Sequence, residues 1–256
     1  MKTKSFLLAV AFAAMAFTFS CSPGVGDDGD GGSSSSGGGQ GGSSSSSVDG
    51  GASSSSNGTP NSLATVTIGS QVWMAKNLDS DVPGSKCYGD DPANCTKYGR
   101  LYDWATAMGL PSSCNSSSCS SSIQSKHRGI CPSGWHIPSN DDWDKLFRWV
   151  DGQNNGEGSG EESPYHSYTA GKYLKATSGW NENGNDTDKY GFSALPGGRG
   201  YSGGDFINAG YFGLWWSSGE YVSYGAYSRY MGYKFESADW GLDGKSVLYS
   251  VRCVQD

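Results

Sequence analysis

Seven cysteines, three histidines and a dense aromatic population are the residues of this 256-residue chain best equipped for chemistry. The cysteines are Cys21, Cys87, Cys95, Cys114, Cys119, Cys131 and Cys253. None forms a C-x-x-C pair or stands near a finger-like histidine pair, so their spacing speaks against zinc. With Cys21 set aside six remain, the even number that a disulfide set in an exported chain requires. Several connectivities are open. Local spacing ranks Cys114 with Cys119, across a Ser/Asn loop, and Cys87 with Cys95, across Tyr-Gly-Asp-Asp-Pro-Ala-Asn. Cys131 and Cys253 are then left to each other, closing a loop of about 120 residues that the chain-entropy argument values at nearly 5 kcal/mol.

Catalytic patterns are sparse. His127, His136 and His166 each have the chemistry of a general base, but none has a motif partner. Gly200-Tyr201-Ser202-Gly203-Gly204 has the spacing of a nucleophile elbow without the strand, turn and helix context, and reads as a surface loop. Binding patterns are richer. Asn181, Asn183, Asn185, Asp186 and Asp188 place five oxygen-bearing side chains within eight residues. Such a loop can either supply a structural Ca²⁺ or simply form a polar turn. No other cofactor is indicated. Tyr211, Phe212, Trp215, Trp216, Tyr221, Tyr224, Tyr227, Tyr230 and Tyr233 crowd the C-terminal third. Sugars stack their apolar faces on such rings, and Trp215, Trp216, Tyr221 and Tyr224 are the candidate ligand-binding set; core packing is the competing use. Consecutive strand residues face opposite sides, so of Trp215 and Trp216 one is expected in the core and the other nearer the surface.

Several elements must position these residues. Ser139 caps a helix in which Trp143, Leu146, Phe147 and Val150 recur with helical spacing, until Asp151-Gly152 stops it. A second helix is expected over Leu101–Met108 and a short third around Tyr173 and Leu174. Strands are expected over 65–68 and 71–74 about a Gly69-Ser70 turn, then over 192–195, 211–217, 228–235 and 247–254. Few helices and short strands between Gly-rich loops make an α+β domain with antiparallel sheet.

The N-terminal quarter has another character. Lys2 and Lys4 precede an apolar run from Phe6 to Phe19, too short for a membrane helix and right for a signal peptide ending before Cys21. Residues 1–20 are thus read as a lipoprotein leader and Cys21 as the lipid-attachment residue. From Ser22 to Pro60, 27 of 39 residues are Gly or Ser and none is aromatic. Such a segment cannot bury enough apolar area to offset its ordering entropy, so 21–60 reads as a disordered tether. Residues 61–256 hold every tryptophan and tyrosine, with 16 basic against 21 acidic residues and no basic cluster. Nucleic acid is therefore a poor partner.

Four segments resemble the Fibrobacter succinogenes major paralogous domain. They are Gly69-Ser70-Gln71-Val72-Trp73-Met74-Ala75-Lys76-Asn77-Leu78 with Tyr98-Gly99-Arg100-Leu101-Tyr102-Asp103-Trp104, then Cys131 to Ser139 with Asp142-Trp143, then Tyr190 to Gly198, and last Ser250-Val251-Arg252-Cys253. The resemblance implies a C-type-lectin-like fold related to the formylglycine-generating-enzyme group, with a long-range bridge of the Cys131–Cys253 kind from the main helix region to the last strand. It also implies a secreted or surface lipoprotein, at the outer membrane or cell surface. The group's enzymes use two cysteines near the C-terminal end, where this chain has only Cys253. The expectation is therefore a non-catalytic interaction domain for glycan, polysaccharide or a partner protein, held to a membrane by its lipid. A divergent enzyme on the same scaffold is the alternative.

Overall fold

The computed structural model describes residues 63–256. The expected leader, the lipid-bearing Cys21 and the tether lie outside the described residues. Within them the chain is a mixed α+β domain with few helices and several sheets, mostly antiparallel. In chain order the strands are β1 (Thr65–Ile68), β2 (Gln71–Met74), β3 (Leu101–Tyr102), β4 (Trp135–His136), β5 (Gly197–Gly200), β6 (Phe206–Ala209), β7 (Phe212–Val222), β8 (Gly225–Gly232), β9 (Asp239–Gly244), β10 (Tyr249–Ser250) and β11 (Val254–Gln255). The helices are α1 (Pro92–Tyr98), α2 (Trp104–Ala107), α3 (Asn140–Asn154) and α4 (Ala170–Leu174).

Three sheets result. One runs β1-β2-β11-β4, one β3-β10-β7-β8-β9, and the third is the β5-β6 hairpin. Strand β7 is central to the second sheet and covered on both faces, and this decides the fate of its tryptophans. Trp215 packs into a cluster with Trp73, Trp143, Phe147 and Phe192, while Trp216 packs into another with Tyr102, Trp104, Met108 and Tyr249. The expected alternation therefore holds, but both rings are 0% exposed, which removes Trp215 and Trp216 from the ligand-binding set. Each indole N–H finds an acceptor inside, Trp215 on Asn77 Oδ1 (2.9 Å) and Trp216 on Tyr102 O (2.8 Å).

Helix α3 starts as expected, with Ser139 and Asp142 closing a reciprocal capping box. It does not stop at Gly152; it runs to Asn154 and ends on left-handed Asn155. Buried Asp151 in its last turn accepts from Tyr165 Oη, Ser167 Oγ and Thr169 Oγ1, each at 2.8 Å, which fastens the following loop to the helix.

Other expectations need correction. Leu101–Met108 is not one helix. Leu101 and Tyr102 pair with Ser250 and Tyr249, and Asp103 then caps a single turn by accepting from Thr106 N (2.7 Å). Residues 192–195 form no strand, Ala194 making only an isolated parallel bridge to Lys175. Residues 247–254 divide between β10 and β11, because the chain crosses there from the five-stranded to the four-stranded sheet. The crossing residues carry Arg252 into the interior and Cys253 to its bridge.

Candidate functional site

The three disulfides join Cys87 to Cys95, Cys114 to Cys119 and Cys131 to Cys253. The second of them shapes a surface. The loop it closes presents the carbonyls of Cys114 and Ser117 to Lys245 Nζ, at 3.0 and 3.4 Å. Lys245 is wholly buried, lies over the Trp104 ring and pairs with Glu220 Oε2 at 3.0 Å. Glu220 also accepts from Cys119 N (2.8 Å) and from Ser118 Oγ. Burial works against its charged form, but these donors and Lys245 hold its pKa below the usual carboxylate value. Glu220 thereby roots the β7–β8 hairpin.

Around Glu220 the pairing of β7 with β8 is irregular on both sides. Such irregularities re-aim side chains. Tyr221 comes to lie against Tyr227, with ring centroids 5.7 Å apart, and Tyr227 lies 6.2 Å from Trp240 of β9. Gly219 makes this possible, since a Cβ there would stand 3.1 Å from Tyr227 Cδ2. Tyr221 is 55% exposed and Tyr224, at the hairpin turn, 68%. Tyr221, Tyr227 and Trp240 form an aromatic strip across three strands, and the exposed Tyr224 occupies the adjoining β7–β8 turn. Tyr221 and Tyr224 belong to the expected set; Trp240 was missed because β9, with two glycines, carries a weak strand signal.

The Asn181–Asp188 loop is occupied with the protein itself. Asp186 Oδ2 pairs with the buried Lys175 Nζ at 2.8 Å, and Asn185 Oδ1 accepts from Trp180 N at 2.9 Å. Asp188 accepts from the Ser193 amide and hydroxyl. Asn181 receives a backbone contact from Gly210, its own N–H donating to Gly210 O at 2.8 Å, and Asn183 is exposed with a left-handed backbone. Among the described residues no three His, Cys, Asp or Glu side chains gather as a metal set.

The histidines lie apart. His127 Nε2 meets Met108 O at 2.7 Å, His166 pairs with Asp239, and His136 stands between Asp256 (2.8 Å) and Asp142 (3.3 Å). Gly200–Gly204 leads into the tight turn of the β5–β6 hairpin, where Tyr201 N donates to Asp205 O at 2.8 Å. No helix follows it, so the context of a nucleophile elbow is missing.

Residues from three of the four signature segments meet inside. Arg252 is fully buried, with Nε and Nη2 donating to Asn77 Oδ1 at 2.9 and 2.7 Å and Nη1 donating to the Phe192 carbonyl. Its guanidinium lies 4.5 Å from the Phe192 ring centre. Burial pulls its pKa down to about 9, opposed by the charge of Asp188. Asn77 is the joint of this arrangement, since the same oxygen takes Trp215 Nε1 and its amide donates to Tyr98 O at 2.8 Å.

These features define a disulfide-bonded α+β domain in which three of the four signature segments meet at an interior polar joint. The chain belongs to the Fibrobacter succinogenes major domain family, whose family model matches residues 66–255. No curated protein and no solved structure matches it.

Proposed function

We propose that the chain is an exported surface lipoprotein, anchored through Cys21, whose domain is a non-catalytic interaction module that holds polysaccharide on the Tyr221–Tyr227–Trp240 strip. The observation that carries this reading is the strip itself. Large aromatics in a folded domain normally find cover, yet here three lie side by side at a surface, next to a hairpin braced by a buried ion pair and a disulfide loop. A braced platform loses little entropy when it binds. The engagement of all six domain cysteines in disulfides, and the separation of the three histidines, support binding over catalysis.

The test is retention of the full chain on a panel of immobilised polysaccharides and glycans. Ring contacts are worth about 0.5–1.5 kcal/mol each, so Tyr221→Ala with Tyr224→Ala should weaken binding by roughly tenfold while leaving the melting temperature nearly unchanged. Failure of the wild-type chain to retain any glycan sinks the reading.

A further inference from the structure

The face of β7–β9 opposite the strip carries a second feature, a cleft of about 350 Å³. Its apolar wall is Phe212, Leu214 and Tyr230, and its polar wall is Arg199, Asp243 and Tyr249. The volume falls within the range of small-ligand sites, as does the pairing of an aromatic wall with a few convergent polar groups.

Three observations set the cleft apart from a surface dent. Tyr249 is wholly buried with its hydroxyl turned toward the side chains of Arg199 and Asp243, yet neither approach closes to a hydrogen bond within 3.5 Å, and Arg199 Nε is likewise buried without a donor contact of that length. Of the five such buried atoms among the described residues, these two meet at one cleft. Next, Arg199 and Asp243 both face the Tyr249 hydroxyl, and their own charged ends stand more than 4 Å apart. Asp243 spends one oxygen on Ser228 Oγ (2.6 Å). Last, the floor holds a residue with no side chain, packed closely under Ser228 and Asp243. Gly241 sits inside strand β9, where a Cβ would stand 3.0 Å from Ser228 Oγ and 3.2 Å from Asp243 Oδ2. Glycine weakens a strand interior and often marks a place where a ligand comes close.

We propose that this cleft binds one neutral sugar residue through a pair of adjacent hydroxyls. One hydroxyl accepts from Arg199, its neighbour donates to Asp243, and Tyr249 Oη bonds between them. The C–H face of the sugar ring rests on Tyr230 and Phe212. One fixed cation opposite one fixed anion selects a ligand with both donors and acceptors and no net charge. A uronate would set its carboxylate against Asp243. The inference rests on the reading of the domain as a carbohydrate-binding module, and adds a site that recognises a single residue where the strip recognises a surface.

The test is calorimetric titration of the full chain with methyl glycosides of neutral hexoses, with a methyl uronide and with free amino acids, which would answer the same two charges as zwitterions. A neutral glycoside should bind, and the uronide and amino acids should not. Tyr249→Phe should weaken the glycoside about five- to tenfold, the worth of one hydrogen bond. Because no hydrogen bond of the hydroxyl closes within the protein, that variant should melt close to the wild-type temperature; a clear fall would show the hydroxyl used internally and overturn the proposal. Gly241→Val should abolish glycoside binding while retention on polysaccharide persists. Binding confined to uronide or amino acids, equal binding by Tyr249→Phe, or no glycoside binding beside intact polysaccharide retention overturns the cleft and spares the strip. Loss of polysaccharide retention in the Tyr221 and Tyr224 variants, with glycoside titration unchanged, supports two separate sites.

Discussion

His136 shows how far one residue's role can be from its neighbours in sequence. Its side chain is 3% exposed and both ring nitrogens face carboxylates, one of them 120 positions away. Burial alone would lower its pKa, but the hydrogen bonds to Asp142 and Asp256 carry it above the ordinary value of 6.5. For Asp142 burial pushes upward, and His136 with the Ser139 donors brings the net value below 3.8. Lys126 and Lys145 border the same shallow recess. A raised imidazole pKa stabilises the fold fully below about 6.5, and that contribution fades as pH rises through the folded-state value. The carboxylate works oppositely, its contribution present above about 4 and lost as pH falls through the depressed value. Denaturant midpoints measured from pH 5 to 9 should therefore decline from near-neutral pH upward in the wild type. In His136→Gln the decline should be absent; a parallel decline would assign it to other groups. The sequence left His136, which lies in β4, without a motif partner. It had no means of finding Asp256. The interior role of Asn77 was hidden similarly, because its partners come from Tyr98, Trp215 and Arg252.

At the scale of elements, what was legible is what carries a local signal. Helix α3 has a capping box, an apolar stripe and enough turns to repeat it. Ser139→Ala should cost about 1 kcal/mol of unfolding free energy, while Ser139→Asp, which keeps an acceptor for the Asp142 amide, should cost less. Chemical denaturation resolves the two, and equal costs would show that the cap is incidental. The β1–β2 hairpin was legible from its Gly-Ser turn. Helix α1 was not found, although Asp91 accepts from Ala93 N and Pro92 opens the first turn, both start signals. Two-residue strands such as β3, β4, β10 and β11 have no period to detect, and they exist because a neighbouring ladder recruits them. This explains the division of 247–254 and the strand at the start of the helix expected over 101–108. The aromatic strip is likewise a product of register, since only the irregular pairing near Glu220 sets Tyr221 beside Tyr227.

For the whole molecule, the disulfides rank by the length of chain they restrain. Cys131 and Cys253 are 122 positions apart, against 8 and 5 for the other pairs. The chain-entropy argument gives the long bridge about 5 kcal/mol and each short one roughly half. A domain's total stability is about 5–15 kcal/mol, so the long bridge is of the order of the whole margin. Cys131→Ser with Cys253→Ser should therefore lower the melting temperature far more than Cys114→Ser with Cys119→Ser. That shorter pair should instead loosen the Lys245–Glu220 root and reduce polysaccharide retention; the reverse ranking in thermal melts would refute the entropic account. Both faces of the five-stranded sheet were beyond reach of the sequence, because which tryptophan is covered depends on helices and loops packed from elsewhere. Pairing of the cysteines was within reach, because short loops leave few choices.

The long bridge also decides how the domain bears load. The cleft, the strip and all of β5–β10 lie between Cys131 and Cys253, inside one covalent ring. Traction between the chain entering at Leu63 and a ligand held on β7–β9 can pay out only the residues before Cys131, and the two small loops shorten even that slack. Strand β1, at the sheet edge and paired only with β2, would be the first element to peel. On the proposed reading, a cell held through this chain would stretch the approach to the grip and leave the grip folded.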